Sequence, residues 1–267
     1  MKTARFRQVP HRNASISLSV NERLSSDHLI VAIHGLGCSK ESFDGLFLAT
    51  GLNSYSICAV DLPGHGDSDR PDDFEHSMDE YARVVSSVIS QIAPTSVSIV
   101  AHSMGGAVGV LLAEHHVDVE CFSNIEGNLV AEDCSVASRR IAEQTSQQFV
   151  DDGYREFVAL RDSSNRADLQ TWSRWLRQAS PRALHQAACS LIELSDSGTL
   201  LNTFNALGVK IYVHGDEDSK DFLLHRLQRA PVTAISNAGH FSMIDNPVEF
   251  EAAVVKGMTR GTSVVSR

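Results

Sequence analysis

Residues 96–116, SVSIVAHSMGGAVGVLLAEHH, decide the fold prediction. The first part of this stretch is apolar and β-branched, which predicts a buried strand, and the part after the glycines has the apolar character of a buried helix. Ser103 therefore lies at a tight turn from strand to helix. Such a turn needs small residues two positions before and after the serine, and Ala101 and Gly105 meet that need, although Ala101 replaces the glycine usual in this motif. This context indicates a serine hydroxyl presented as a nucleophile.

Main-chain N–H groups near this turn can stabilise negative charge. The predicted helix directs its N-terminus at Ser103, so that the positive end of the helix dipole and the N–H of Met104 can stabilise a developing oxyanion. A second donor is predicted in His34-Gly35-Leu36-Gly37, which follows the apolar run at 29–33. Leu36 is the expected donor there, although an ordinary turn explains these four residues equally well when they are taken alone.

Strand-like and helix-like segments alternate along the chain. Apolar runs typical of buried strands occur at 29–33, 55–60, 96–101, 119–125, 209–213 and 232–235. The clearest helix runs from Met78 to Ile92 and opens on a capping-box pattern of Ser77 and Glu80. This alternation predicts an α/β fold with a doubly wound, mostly parallel sheet.

One long segment interrupts the alternation. Residues 129–200 contain no convincing strand and are rich in Arg, Gln and Ala with aromatic residues interspersed. We expect them to form a helical insertion, and we expect residues 1–128 and 201–267 to form the core. Pro247 suits the first turn of a final helix.

Composition excludes several classes of protein. The 267 residues are 42% hydrophobic, enough for one core with an inserted subdomain, and the formal net charge of -10 disfavours nucleic acid or an anionic membrane as a partner. The N-terminus lacks the apolar core of a secretory signal and no run approaches ~18 apolar residues, so a soluble, cytoplasmic protein is expected. The five cysteines have no metal-ligand spacing, and no metal or cofactor is predicted. Oligomeric state is not indicated.

Five motifs together are similar to those of the α/β-hydrolase superfamily: HGLG, DLPGHGDSD, AHSMGG, HGDED and GHFSMIDNP, in that order between residues 29 and 250. The resemblance implies the α/β-hydrolase fold, with residues 129–200 as a helical cap. It also implies that His240 is the general base that removes the proton of Ser103. His34, Gly35 and His102 flank the predicted site, and we expect them to contact substrate.

Two carboxylates could orient His240 in this family. Asp218 ends the HGDED loop, the commonest position of the acid, and is favoured. Glu126 lies 23 residues after Ser103 and matches the alternative position used by haloalkane-dehalogenase-like members. Both alternatives stay open at this point.

Serine at the turn argues against haloalkane dehalogenase and epoxide hydrolase chemistry, which use an aspartate. We expect a carboxylesterase that acts on a small or medium acyl ester through an acyl-enzyme. Thioesterase, lactonase, amidase or carbon–carbon bond hydrolase activity would use the same mechanism. A ligand receptor or signalling protein on this fold is the alternative from another class, and a cofactor-free haloperoxidase or perhydrolase is a weaker one.

Overall fold

The computed structural model describes residues 1–135 and 137–265, with the backbone alone for 261–265. In this part of the chain eight strands form one sheet in the order β1-β2-β4-β3-β5-β6-β7-β8. The strands are β1 (Thr3–His11), β2 (Ala14–Arg23), β3 (His28–Ile33), β4 (Ser56–Val60), β5 (Ser96–His102), β6 (Val119–Ile125), β7 (Lys210–Gly215) and β8 (Val232–Ile235). The pairs from β4 to β8 are parallel, whereas β1 pairs with β2 and β2 with β4 in antiparallel fashion. The prediction of an α/β fold with a mostly parallel sheet is confirmed.

The helices flank this sheet and fill the connection between β6 and β7. They are α1 (Met78–Ile92), α2 (Met104–His115), α3 (Ser138–Ala142), α4 (Ser146–Gln148), α5 (Tyr154–Asp162), α6 (Ala167–Leu176), α7 (Pro181–Ser197), α8 (Thr199–Ala206), α9 (Asp221–Leu224), α10 (Ser242–Asp245) and α11 (Pro247–Val265). Shorter 3₁₀ turns occur at Lys40–Phe47, Thr50–Leu52 and Ala131–Cys134, and a π-helical turn at Phe149–Gly153. Among the described residues, no helix combines the length and the apolarity that crossing a membrane requires.

Local sequence signals account for most of these helices and strands. Helix α1 begins where the Ser77 hydroxyl accepts a hydrogen bond from the Glu80 N–H, and it ends at Ala93 in the left-handed conformation. Strands β3 and β4 are buried on both faces, as expected of the centre of a parallel sheet. The hairpin of β1 and β2 was not predicted, because most side chains of β1 are exposed and give no apolar run. It is held instead by antiparallel pairing along its whole length.

The described residues between β6 and β7 form only helices and turns, from Ala131–Cys134 through α8. The predicted boundary at residue 200 falls inside α8, and the division into core and cap stays a prediction. Val136 and residues 266–267 belong to the predicted units but lie outside the described residues. This helical segment rests on the core, where the Ser180 N–H donates to the Gly64 carbonyl at 2.7 Å.

A buried ion pair fixes the DLPGHGDSD loop, to which sequence analysis assigned no chemistry. Asp61 is fully buried and accepts hydrogen bonds from the Lys40 N–H, the Lys40 ammonium and the Asp67 N–H at 2.7, 2.7 and 3.0 Å. Gly66 has a φ of +50°, and a β-carbon there would overlap the Asp61 carboxylate. These contacts join the turn at Lys40–Phe47 to the loop after β4.

We therefore expect Asp61→Asn to lower the free energy of unfolding by about 3–5 kcal/mol, because the Lys40 ammonium loses its buried counter-charge. Asp67→Asn is the matched control, since it removes an exposed partner of the same ammonium and should cost about 1 kcal/mol or less. Urea denaturation of both variants measures the difference. Equal losses would contradict a structural role for the buried pair.

Candidate active site

Ser103 lies in a strained turn between β5 and α2. Its φ of +53° and ψ of -121° are unusual for a residue with a side chain. The Ser103 N–H donates to the Ile125 carbonyl at 2.9 Å, which ties the turn to the end of β6. A β-carbon at Gly105 would overlap the carbonyl oxygen of Ile33 at the end of β3. A small residue is needed at position 105 because α2 approaches the neighbouring strand closely there.

His240 follows β8 and reaches the serine. Its Nε2 atom lies 3.1 Å from Ser103 Oγ, within hydrogen-bond distance. The main chain of His240 is fixed by His102, whose Nε2–H donates to the His240 carbonyl at 2.9 Å. Burial, followed by the nearby charge of His240, lowers the pKa of His102 to about 3, so this ring is neutral. The arrangement places one ring nitrogen of His240 on the serine and leaves Nδ1 facing the end of β6.

Glu126, at the end of β6, is the carboxylate in ion-pair contact with His240. Its Oε2 atom lies 3.6 Å from His240 Nδ1, and its Oε1 atom accepts the Gly215 N–H at 2.7 Å. Burial alone would raise the pKa of this carboxyl. The contact with His240, the charge of Lys220 and the Gly215 N–H outweigh burial and lower the pKa to about 2. Glu126 is therefore ionised at neutral pH.

Asp218 lies close to the same group but is only half-buried. One of its carboxylate oxygens lies within 4.8 Å of the nearest ligand atoms of Glu126 and His240. Its charge also contributes to raising the pKa of the Arg166 guanidinium, after the larger effect of Asp168. The structure thus brings both predicted acids to His240 and gives the ion pair to Glu126.

Lys220 is a buried cation that sequence analysis did not identify. Its ammonium lies 3.0 Å from Glu126 Oε2 and 3.2 Å from Asp133 Oδ1. Burial alone would lower the pKa of Lys220, but the two carboxylates raise it above its usual value, so the ammonium stays charged. Asp133 in turn accepts the main-chain N–H groups of Leu129 and Val130. Lys220 therefore connects the end of β6 to the first turn of the helical segment.

The spacing of Glu126, Asp218 and His240 could also hold a metal ion. The Lys220 ammonium already provides a positive charge beside Glu126 Oε2. One of the three donors, Glu126, is therefore already paired with a cationic side chain.

A cavity of about 400 Å³ opens above Ser103 and His240. Its apolar wall consists of Leu36, Cys38, Ala137, Leu169, Trp172, Phe222 and Phe241, and its charged groups are Glu132, Asp133, Arg166, Asp168, Glu217, Asp218 and Lys220. Arg166 is paired with Asp168 through two hydrogen bonds of 3.1 and 2.8 Å. Both cations that line the cavity are thus already neutralised by protein carboxylates.

The two residues predicted to supply oxyanion donors lie at the cavity and at the start of α2. Leu36 lines the cavity, and Met104 is the first residue of α2, where main-chain N–H groups have no acceptor within the helix. Of the residues expected to contact substrate, His102 lines the cavity. Gly35 packs against His102 and Ser103, where a β-carbon would not fit.

His34 is fully buried, and its ring binds main chain on both sides. Nδ1–H donates to the Gly35 carbonyl at 2.8 Å, and Nε2 accepts the Leu62 N–H at 3.0 Å. Burial lowers the pKa of His34 to about 4, which matches this neutral tautomer. Its contacts join the loop after β3 to the loop after β4.

Two further groups near the serine were missed from the sequence. Asn128 Oδ1 lies 3.5 Å from Ser103 Oγ, and the Asn128 N–H donates to the Ser103 carbonyl at 3.2 Å. Trp172 reaches the loop after β3 from the helical segment. Nothing in the sequence around Asn128 or Trp172 indicates that either residue contacts the serine or the loop after β3.

Comparison with known proteins identifies the family of this chain. The model of the alpha/beta hydrolase family matches residues 30–253, and the chain belongs to that family. A putative esterase/lipase 2 of Mycoplasma genitalium is 29% identical over 85 residues, and the match spans 32% of each protein, well under two thirds of that relative.

Two further matches extend over most of the chain. The 2-succinyl-6-hydroxy-2,4-cyclohexadiene-1-carboxylate synthase of Yersinia pestis is 26% identical over 254 residues, covering 87% of this chain and 88% of that one. The solved structure of the N-acyl homoserine lactonase AidH superposes with a TM-score of 0.76 at 18% identity, covering 97% of this chain and 98% of that one.

The lowered pKa of Glu126 predicts a pH-dependent contribution to stability. A carboxyl whose pKa falls from 4.5 unfolded to about 2 folded stabilises the protein above pH 4.5, and this contribution is lost as the pH falls towards 2. The difference in unfolding free energy between wild type and Glu126→Gln should therefore shrink by roughly 3 kcal/mol over that window. Urea denaturation at several pH values measures it, with Asp218→Asn as control. A pH-dependent difference for Asp218→Asn but not for Glu126→Gln would contradict the assignment.

Proposed function

We propose that this protein is a serine hydrolase that cleaves carboxylic esters of small or medium acyl groups. Ser103 is the nucleophile, His240 the general base and Glu126 the acid that orients His240. The observation that carries the proposal is the continuous contact from Ser103 Oγ to His240 Nε2 and from His240 Nδ1 to Glu126 Oε2. In this proposal Asp218, the acid favoured from the sequence, is a charged neighbour of His240 and does not orient it.

The reaction proceeds in two halves. Ser103 Oγ attacks the ester carbonyl carbon while His240 Nε2 takes the hydroxyl proton, and the N–H groups of Leu36 and Met104 receive the oxyanion. His240 then gives its proton to the departing alcohol, which leaves the acyl group on Ser103. A water molecule, deprotonated by His240, attacks the acyl carbon, and return of the proton to Ser103 Oγ releases the acid.

The ionised Glu126 supports both halves. It fixes the proton of neutral His240 on Nδ1, so that Nε2 is free to accept from the serine. When His240 becomes positively charged, the negative charge of Glu126 stabilises it. The resting Nδ1–Oε2 distance of 3.6 Å is longer than a hydrogen bond, and such contacts commonly shorten when substrate binds.

The cavity supports a neutral substrate of modest size. A volume of about 400 Å³ is at the lower end of small-molecule sites. Arg166 and Lys220, the cations that line it, are already paired with carboxylates of the protein. A free carboxylate on the substrate would therefore gain little binding energy from them. A neutral carboxylic ester therefore fits better than a dicarboxylate. A lactone is a cyclic ester that the same attack would open, and the lactonase among the structural neighbours makes this the first alternative substrate to assay.

We also propose that residues 129–200 form the cap that shapes the acyl pocket. Ser138, Leu169 and Trp172, all from this segment, line the cavity opposite Ser103. The cap would then set acyl-chain preference, whereas the core supplies the reacting groups.

Hydrolysis of p-nitrophenyl esters from acetyl to decanoyl tests the proposal. Ser103→Ala should lose activity by about 10⁴-fold or more. Glu126→Gln should lose roughly 10⁴-fold, because His240 no longer has a charge to fix its tautomer. Asp218→Asn is the matched control, with a loss within about tenfold. Thermal melts confirm that each variant is folded.

Three outcomes would contradict parts of this proposal. Full activity in Ser103→Ala would overturn the nucleophile. Inactive Asp218→Asn with active Glu126→Gln would return the acid to the loop after β7. Wild type that reacts with a fluorophosphonate at Ser103 but does not turn over esters, thioesters, lactones or amides would favour a ligand receptor on this fold.

A further inference from the structure

Trp172 links the helical segment to the loop that carries Leu36. Its indole N–H, on α6, donates to the Leu36 carbonyl at 3.1 Å, across 136 positions of sequence. The side chain is buried and also lines the cavity above Ser103. One residue of the segment therefore contacts both the pocket and the loop with the proposed oxyanion donor.

The Leu36 carbonyl belongs to the central peptide of a tight turn. The Cys38 N–H donates to the Gly35 carbonyl at 3.1 Å, which closes the turn, and Gly37 has a φ of +66°. A positive φ at the third position is the mark of a type II turn, whereas a type I turn has the central peptide rotated the other way. A donor bound to the Leu36 carbonyl holds that peptide, which joins Leu36 to Gly37, in one of these two orientations. The Leu36 N–H belongs to the preceding peptide, whose Gly35 carbonyl accepts the Cys38 N–H and His34 Nδ1–H. Trp172 therefore acts on the Leu36 N–H by anchoring the other end of the same residue.

Helix α6 contacts this turn at two points on one face. Trp172 binds the Leu36 carbonyl, and Leu176, four residues further along, packs so closely on Gly37 that a β-carbon there would overlap it. The turn is thus covered by the helix, and its geometry depends on where α6 sits.

The indole itself is held by aromatic and cationic neighbours. The ring centres of Phe157 and Phe241 lie 5.6 and 5.4 Å from that of Trp172, and the guanidinium carbon of Arg161 lies 5.0 Å from it. These contacts leave the N–H with a fixed direction. A fixed indole holds Leu36 in place before substrate binds, and an oxyanion donor that is already in place costs little reorganisation in the transition state.

We propose that Trp172 is a positioning residue for oxyanion stabilisation, acting by anchoring Leu36, the residue whose N–H is the proposed donor, through its carbonyl. This inference rests on the proposed acyl-transfer function. The helical segment then does more than shape the acyl pocket, because its seating on the core anchors the residue that carries the second proposed oxyanion donor. Movement of α6 away from the turn would weaken stabilisation of the transition state while Ser103 and His240 remain in contact.

Trp172→Phe removes the indole N–H but keeps an aromatic ring in the wall of the pocket. The variant therefore distinguishes the hydrogen bond from the packing of the ring. We expect kcat for a short p-nitrophenyl ester to fall about tenfold, the size of one neutral hydrogen bond, with KM changed less than about twofold. Affinity for a trifluoromethyl ketone that mimics the tetrahedral intermediate should fall by the same factor. Affinity for the product carboxylic acid, which carries no tetrahedral oxyanion, should be unchanged.

Phe157→Leu is the matched control. It removes a ring that packs on Trp172 and leaves the indole N–H in place. Both variants should lower the melting temperature, but only Trp172→Phe should lose affinity for the ketone. An equal loss of ketone affinity in both variants would mean that Trp172 acts only through packing. A Trp172→Phe effect confined to KM would mean that it acts only by lining the pocket. Either result overturns the inference.

The test also distinguishes the inference from the proposed function. Wild type that fails to form a covalent adduct of Ser103 with a fluorophosphonate overturns the proposed function and the inference with it. Wild type that forms the adduct and turns over esters, while Trp172→Phe keeps full ketone affinity, overturns the inference alone.

Discussion

The close approach of α2 to the central strands is the constraint on which the rest of the site depends. Ser103 can hold a positive φ only because its N–H is bound to the end of β6 and because Gly105 lets the helix meet the end of β3. Strain of this kind costs roughly 1–3 kcal/mol and persists only where the surrounding packing enforces it. The fully buried parallel strands supply that packing. Since their carboxyl ends share one edge, Leu36 and Glu126 lie beside the serine.

Among the contacts between this edge and the helical segment, two involve residues of the proposed catalytic machinery. Lys220 bridges Glu126 and Asp133, and Trp172 binds the Leu36 carbonyl. The first adjusts charge around the acid, and the second fixes the direction of a main-chain peptide. Because Glu126 and Trp172 are buried, both effects are stronger than they would be at an exposed surface. The segment is therefore coupled to the electrostatics of the site as well as to the shape of its pocket.

The elements that could be predicted are those whose sequence signal is local. The central strands follow from apolar runs, and the turn at Ser103 follows from small residues at fixed offsets. The hairpin of β1 and β2 was not predicted because most side chains of β1 are exposed and give no apolar run. Lys220 and Trp172 could not be found because their partners are distant in sequence. The sequence left the acid open for the same reason, because the distances from His240 to Glu126 and Asp218 depend on how their loops pack.

The proposal that Glu126 is the acid accounts for the buried lysine beside it. A carboxylate at Asp218 is half-exposed and would be stabilised in part by water. Glu126 is almost fully buried, and an isolated buried carboxylate would take up a proton and lose the charge that His240 requires. The Gly215 N–H and the Lys220 ammonium prevent this by stabilising the ionised form. The same ammonium also competes with the imidazolium for Glu126 Oε2. Placing the acid at the end of β6 therefore favours a permanently ionised partner for His240 and weakens its pull on the proton, a balance that an exposed acid on the next loop would not impose.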